Sequence, residues 1–312
     1  MVGPSGEQYH LEAAGYAAVV TQSGAALRSL AHRSAQQDVA LVDGFGADEM
    51  AYGGRGQLLM PWPNRIRDGA YEFDGRTHQL ALSEPGAGNA SHGLARWVAW
   101  SLDEQRPHAV TMRYRLMAQT GYPWTLDLSV EYHLDGDGLR VTQSAHNRGA
   151  QPAPYASGAH PFLRVGTGID RLELRLPARS RALTDDRKLP VGDEPVAGTA
   201  YDFTSPRVIG STAFDHAFTD LQREPDGTAH TVLRDPETGQ GVCLWVDERH
   251  PWLQVFSADK VPSVGRRSLA VEPMTAPPDA FNSGRNLVVL APDGEPGSQV
   301  STRWGIRHLG FD

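Results

Sequence analysis

The sequence predicts an all-β chain, a large antiparallel β-sandwich, on three observations. Apolar and polar residues alternate in short runs, clearest in Leu126-Asp127-Leu128-Ser129-Val130-Glu131-Tyr132-His133-Leu134, and period 2 marks a strand with one buried face. Helical periodicity is hard to find over any ten residues, while 33 Gly and 22 Pro punctuate the 312 residues at short intervals, as antiparallel strands joined by loops require. No tandem repeat of fixed period is present, which disfavours a propeller or solenoid and leaves the sandwich.

Taken in order along the chain, Gly44-Phe45-Gly46 and Gly53-Gly54-Arg55-Gly56 lack the strand-to-helix setting of a phosphate loop and read as turns. Tyr71-Glu72-Phe73 runs as a strand into Asp74-Gly75. After the strand at 126–134, Asp135-Gly136-Asp137-Gly138 supplies left-handed turn conformations, and Leu139-Arg140-Val141-Thr142 starts the return strand of a hairpin. Leu172-Glu173-Leu174-Arg175-Leu176-Pro177 repeats this grammar. So do Thr231-Val232-Leu233 and Val242-Cys243-Leu244-Trp245-Val246, joined through Asp235-Pro236-Glu237-Thr238-Gly239. Gly86-Ala87-Gly88-Asn89 and Val191-Gly192-Asp193-Glu194-Pro195 read as loops rather than linkers, because strand patterns resume directly after them. A single domain over 1–312 is therefore expected.

Composition narrows the functional classes. Hydrophobic residues at 40% and charged residues at 21% are those of a globular chain, and no apolar run approaches the roughly 20 residues of a spanning helix. A formal charge of -8 argues against a nucleic-acid partner, which needs a concentrated basic surface. The segment Met1-Val2-Gly3-Pro4-Ser5-Gly6-Glu7 lacks the basic and apolar regions of a secretory signal. Cys243 is the only cysteine, so no intramolecular disulfide can form, and the cytoplasm is the expected compartment. A monomer or homodimer without membrane association is expected.

The chemistry-bearing residues are few. Glu272 sits in Val271-Glu272-Pro273-Met274-Thr275-Ala276-Pro277-Pro278-Asp279-Ala280-Phe281-Asn282, a loop-like stretch of apolar residues and prolines with almost no cation nearby, and is a candidate base. His92 in Asn89-Ala90-Ser91-His92-Gly93 and His160 in Gly158-Ala159-His160-Pro161-Phe162 lie in Gly/Pro settings. There an imidazole can bond internally through one nitrogen and face a ligand with the other; a purely structural role is the alternative for each. Asn64-Arg65, within Met60-Pro61-Trp62-Pro63-Asn64-Arg65-Ile66, aims a fork of donors, with a plain salt bridge to a loop carboxylate as the alternative. Phe214-Asp215-His216-Ala217-Phe218 offers a carboxylate between aromatics, a way to grip and cover sugar hydroxyls, or else a turn cap. His216 is left open, and the remaining histidines read as surface or satisfied structural residues.

No His-x-x-x-His, Cys-x-x-Cys or Glu-x-x-His spacing accompanies the candidates, so no metal is expected. No Gly-x-Ser-x-Gly elbow is present, and Cys243 has no cationic neighbour to activate it.

Taken together and in order, these segments resemble the aldose 1-epimerase (galactose mutarotase) family. Asn64-Arg65-Ile66 resembles its Asn-Arg-Ile segment, His92-Gly93 its His-Gly segment, and His160-Pro161-Phe162 its His-Pro-aromatic segment. Phe214-Asp215 resembles its aromatic-Asp pair, Pro251-Trp252-Leu253-Gln254-Val255-Phe256 its Gln-bearing strand, and Glu272 to Asn282 its final Glu loop. The resemblance implies the family's galactose mutarotase-like supersandwich, with Glu272 as general base and His160 as general acid. It implies a sugar-binding set of Arg65, His92, Asp215 and Gln254, with Asn64 beside Arg65, and neither cofactor nor redox step.

The implied reaction removes the anomeric hydroxyl proton while protonating the ring oxygen, opens the hemiacetal, and closes it on the other carbonyl face. Leu59-Met60-Pro61-Trp62-Pro63 and Phe162-Leu163-Arg164-Val165 depart from common family patterns. Pro-Trp-Pro-Asn-Arg-Ile with His92-Gly93-Leu94-Ala95-Arg96-Trp97 looks more like the branch that includes sulfoquinovose mutarotases. That resemblance implies an anionic sugar, such as sulfoquinovose or a hexose 6-phosphate, as an alternative substrate, with Arg96 or Arg164 as its partner; solvated charges at strand ends are the alternative for both arginines. A noncatalytic carbohydrate-binding module is the alternative from another class.

Overall fold

A computed structural model describes residues 2–33, 38–261 and 264–310. It is built almost entirely from antiparallel strands; the described residues hold one short α-helix, Ala280–Ser283, and one 3₁₀ turn, Tyr52–Gly54. No helix among them is long and apolar enough to cross a membrane.

The alternating run at 126–134 becomes the strand Leu126–Asp135, which pairs with Gly138–Asn147. Leu126, Leu128, Val130, Tyr132 and Leu134 are each at most 1% exposed, while the residues between them are only partly covered. Burying each such side chain contributes roughly 1.5–3 kcal/mol, enough to fix the register, since a one-residue slip would turn all five outward. Neither Gly136 nor Asp137 between the two strands takes a positive φ, which falls instead on Gly138 at the start of the return strand; Asp135 accepts the Asp137 amide through Oδ1 at 2.9 Å, and this Asx turn makes the reversal.

This hairpin belongs to a nine-stranded sheet. It starts at Ser101–Arg106 and Ala109–Leu116, passes through the hairpin to Gln299–Leu309, Gly241–Val246 and Ala229–Arg234, and ends at Glu173–Arg175 and Arg207–Val208. A second sheet of eight strands carries Asp215, Gln254 and Glu272, with His160 directly after one of its strands, whereas Arg65 lies in a separate two-stranded sheet, Arg65–Arg67 with Asn89–Ser91, which Asn64 precedes and His92 follows. The order of the eight-stranded sheet is Pro190–Pro195, Ala178–Thr184, Asp215–Leu221, Trp252–Phe256, Leu269–Met274, Gly158–Ala159 and Leu58–Leu59, with Phe162–Leu163 also paired to Leu269–Met274. A four-stranded meander, Gln8–Ala13, Tyr16–Thr21, Leu27–Arg33 and Asp38–Ala40, adds its apolar face to the same core.

The loop expected at Val191–Pro195 is instead an edge strand paired with Ala178–Thr184. Its side chains are largely exposed, so backbone pairing defines it and no alternation announces it. A buried polar bridge links the two large sheets. Trp304 Nε1 donates to Gln143 Oε1 at 2.8 Å, and Gln143 Nε2 donates to the Gly158 carbonyl at 3.1 Å, two residues before His160.

Candidate active site

Glu272 lies in the strand Leu269–Met274 and not in a loop. All six residues of that strand are buried, so it shows no period-2 signature, and Pro273 reads as a strand breaker. Cross-strand register places Gln254 directly opposite Glu272 and Ala217 opposite Gln254, with Asp215 one diagonal step away, opposite Phe256. Gln254 Nε2 donates to Asp215 Oδ1 at 3.0 Å, and Lys188 Nζ stands 3.4 Å from Asp215 Oδ2.

His160 follows Gly158–Ala159, and its backbone is held on both sides. Its amide donates to the Gln57 carbonyl and its carbonyl accepts the Gly56 amide, each at 2.9 Å. Its ring stacks on Phe162 with centroids 5.0 Å apart, and Gly54 packs against it so closely that an added Cβ would lie 2.7 Å from Cδ2. The glycine-rich turn read from sequence thus shapes the seat of the imidazole. Because Gly54 also has φ near +82°, Gly54→Ala is expected to cost about 1–3 kcal/mol of stability and to displace His160. Denaturant unfolding checks this, and an unchanged midpoint would contradict it.

Asn64 and His92 both adopt positive φ, and the His92 amide donates to the Asn64 carbonyl at 2.8 Å. Gly93 lies so close to Met60 that a Cβ would fall 2.1 Å from the Met60 carbonyl oxygen, so only glycine lets the chain turn there. The His92 and His160 rings meet edge to face at 5.6 Å.

These strands and turns enclose a cavity of about 440 Å³, and all seven candidates line it: Asn64, Arg65, His92, His160, Asp215, Gln254 and Glu272. His160 Nε2 is 3.3 Å from Glu272 Oε1. Glu272 Oε2, His160 Nδ1 and His92 Nδ1 are buried without a hydrogen-bond partner, so the internal bond expected to steady each imidazole is not made through Nδ1.

Arg65 fulfils both readings at once: it lines the cavity and forms a two-point ion pair with Glu84, Nε to Oε2 at 2.7 Å and one terminal nitrogen to Oε1 at 3.0 Å. A larger groove of about 720 Å³, lined by Asp135, Trp245 and Arg303 among others, holds none of the seven. Among the described residues, no group of three or more His, Cys, Asp or Glu is placed to hold a metal ion.

Burial dominates the electrostatics. It pushes the Glu272 carboxyl well above the usual carboxylate range; the Asp215 charge adds to the rise and Arg65 opposes it. Burial likewise lowers His160 to about 3, with the Arg96 and Arg65 charges acting in the same direction. His92 is lowered well below its ordinary value by burial, then by His160, Arg96 and Arg65. The free site therefore favours a neutral His160 imidazole.

Two further expectations are corrected, and His216, left open from the sequence, is placed. Phe214 and Phe218 do not cover the cavity: they are at most 1% exposed and pack on each other in the core, on the opposite face of their strand from Asp215. The aromatic side chains at the cavity are Phe256, Tyr52 and Trp97, the last two well exposed. Arg164 does not line the cavity and pairs with Asp43 at 3.5 Å, whereas Arg96 does line it. His216 lies against Tyr201 and accepts the Asp215 amide through Nδ1, so it supports the Asp215 backbone from outside the cavity.

Glu84, Lys188, Gly54 and Trp97 were not singled out as site residues in the sequence. The glycine cluster around Gly54 and the His92-to-Trp97 segment carried a signal, whereas Glu84 and Lys188 are ordinary surface-type charges until the fold brings them to Arg65 and Asp215.

The model of the family described as aldose 1-epimerase matches residues 7–302. The Escherichia coli (strain K12) protein YihR, itself described as uncharacterized, is 34% identical over 288 residues, covering 92% of this chain and 89% of that one. Human galactose mutarotase is 28% identical over 255 residues, covering 74% and 73% of the two chains. A crystal structure of the GalM/aldose epimerase homologue from C. elegans superposes with a TM-score of 0.84 at 17% identity, over 97% of this chain and 99% of that one, which shows the shared fold. The chain belongs to the aldose 1-epimerase family.

Proposed function

We propose that the protein interconverts the α and β anomers of a free aldohexose or related sugar, with Glu272 and His160 as the proton-transfer pair. The observation that carries this reading is the 3.3 Å approach of Glu272 Oε1 to His160 Nε2 in a cavity also lined by the polar side chains of Asn64, Arg65, His92, Asp215 and Gln254.

Ring opening requires the pair as carboxylate and imidazolium. Glu272 takes the proton from the anomeric hydroxyl, the C1–O5 bond breaks as the C1 carbonyl forms, and His160 delivers its proton to O5. That leaves a carboxylic acid and a neutral imidazole, the two forms that burial favours. The site therefore stabilises the protonation state that accompanies the open-chain aldehyde. Rotation about C1–C2 and reversal of both transfers closes the ring on the other face. Arg65, His92, Asn64, Gln254 and Asp215 hold the sugar hydroxyls, and Arg65 favours the carboxylate form that the closed sugar needs.

Polarimetry on freshly dissolved α-glucose and α-galactose tests the reading: protein should accelerate the approach to equilibrium rotation, and no acceleration over buffer with any of a panel of sugars would overturn it.

One observation favours an anionic substrate. Arg96 lines the cavity and lies over the Trp97 ring at 5.6 Å, and among the described residues its guanidinium makes no side-chain hydrogen bond or ion pair. Burial lowers its pKa, which is the cost of an incompletely paired charge. Arg96→Ala is expected to raise KM for sulfoquinovose or a hexose 6-phosphate roughly tenfold more than for glucose, the effect of losing a hydrogen bond to a charged group. Equal changes for charged and neutral sugars would remove Arg96 from that role.

A further inference from the structure

We propose that Glu84 is a positioning residue that sets both the aim of Arg65 and the electrical balance of the Glu272–His160 pair. The inference rests on the mutarotase reading for its kinetic consequences, but not for its physical ones.

Glu84 grips Arg65 through both carboxylate oxygens, at 2.7 and 3.0 Å, and this two-point geometry fixes the plane of the guanidinium as one contact could not. The Arg65 side chain is only 17% exposed, so the pair is shielded from solvent on the arginine side. Asn64 Oδ1, at 3.4 Å, accepts from the remaining terminal nitrogen.

Glu84 is itself fixed. Asn89 Nδ2 donates to its Oε2 at 3.3 Å, and its backbone exchanges hydrogen bonds with Asn89 in both directions. Arg187 then clamps that turn by donating to the carbonyls of Ala87 and Gly88 and to Asn89 Oδ1. A chain of contacts thus runs from the outer turn to the cavity wall.

Charge supplies the second half of the argument. The ionisable groups acting on Glu272 are His160 in direct contact, Asp215, which raises its pKa, and Arg65, which lowers it. Around Arg65 stand Glu84, Asp215 and Glu272, and around Glu84 stand Arg65 and Arg96. Glu84 is the carboxylate that neutralises Arg65 by contact. Without it, the full Arg65 charge acts on the pair, favours its anionic form, and makes it lose its shared proton at lower pH. The sequence hides this because Ser83-Glu84-Pro85 has the look of a solvated turn.

The test compares wild type with Glu84→Gln and Glu84→Asp. The direct readout is the 13C NMR titration of the Glu272 carboxyl, assigned by its loss in Glu272→Gln. Glu84→Gln should move its midpoint to lower pH by on the order of one unit, and Glu84→Asp, which keeps the charge, should restore it. In anomer exchange, Glu84→Gln should raise KM roughly tenfold and shift the alkaline limb of kcat/KM the same way, while Glu84→Asp corrects the limb more fully than KM.

An unmoved midpoint in a folded Glu84→Gln protein would overturn the proposal, as would a fall in kcat with KM and the limb unchanged. A shifted midpoint in a protein that exchanges no sugar anomers would uphold the electrostatic role and reject the mutarotase reading instead.

Discussion

Glu272→Gln is expected to reduce anomer exchange at least ~100-fold while leaving the protein folded. The amide keeps the shape of the carboxyl and can still meet His160 Nε2, 3.3 Å away in the wild type, but it cannot take a proton from the anomeric hydroxyl. Stability should not suffer, and the sign can be worked out. The carboxyl's folded pKa lies above its unfolded value, so its stabilising contribution is present at low pH and is lost as pH rises through the folded pKa. A neutral amide escapes that loss, so Tm of the variant at pH 8 should be no lower than that of wild type. Near-normal turnover would remove Glu272 from its role, and a collapsed Tm would mean that the activity loss reports unfolding.

His160→Asn should have an effect of the same size, at least ~100-fold on turnover, because ring opening stalls if O5 leaves without a proton. The pH profile makes the claim sharper. An independent histidine acid would give a limb near its ordinary pKa of about 6.5. Here burial lowers His160 to about 3 and raises Glu272, so the pair holds one proton across the whole interval between. The wild-type kcat/KM profile is therefore expected to show no separate histidine limb, losing activity only when the pair gains a second proton near the lower value or loses its proton at the raised pKa of Glu272. A clear break near 6.5 that vanishes in His160→Asn would contradict the shared-proton account.

Much of this was legible in the sequence because the outer strands obey simple rules. Leu126–Asp135 alternates perfectly, and the Asp74-Gly75 and Asp135–Gly138 turns appear where hairpins need them, between Ala70–Phe73 and Arg76–Gln79 and between the long paired strands. Six of the candidates were recognisable because each sits in a short segment of unusual chemistry, Gln254 was implied only by the family resemblance, and the fold brings all seven to one cavity.

The strand carrying Glu272 was illegible for a physical reason: burial on both faces removes the period-2 signal, and Pro273 mimics a loop. The edge strand Pro190–Pro195 failed in the opposite way, with too little buried surface to create a pattern. Pairings such as Glu84 with Arg65, or Lys188 with Asp215, join residues far apart in the chain, and neither partner's local sequence names the other. The same limit explains why the aromatics beside Asp215 misled. Adjacent residues on a strand point to opposite faces, so Phe214 fills the core while Phe256, across the pairing, borders the cavity.

The central claim, that this cavity exchanges anomers and does not merely bind sugar, is tested most directly by exchange NMR of the anomeric protons. The panel should include glucose, galactose, arabinose, hexose 6-phosphates and sulfoquinovose, each with wild type and with Glu272→Gln. The account predicts α–β exchange cross-peaks for at least one sugar with wild type, far above buffer and lost in the variant. Binding of a sugar by wild type, seen as saturation transfer, with no exchange above buffer for any sugar on the panel would contradict it and make the protein a carbohydrate-binding module.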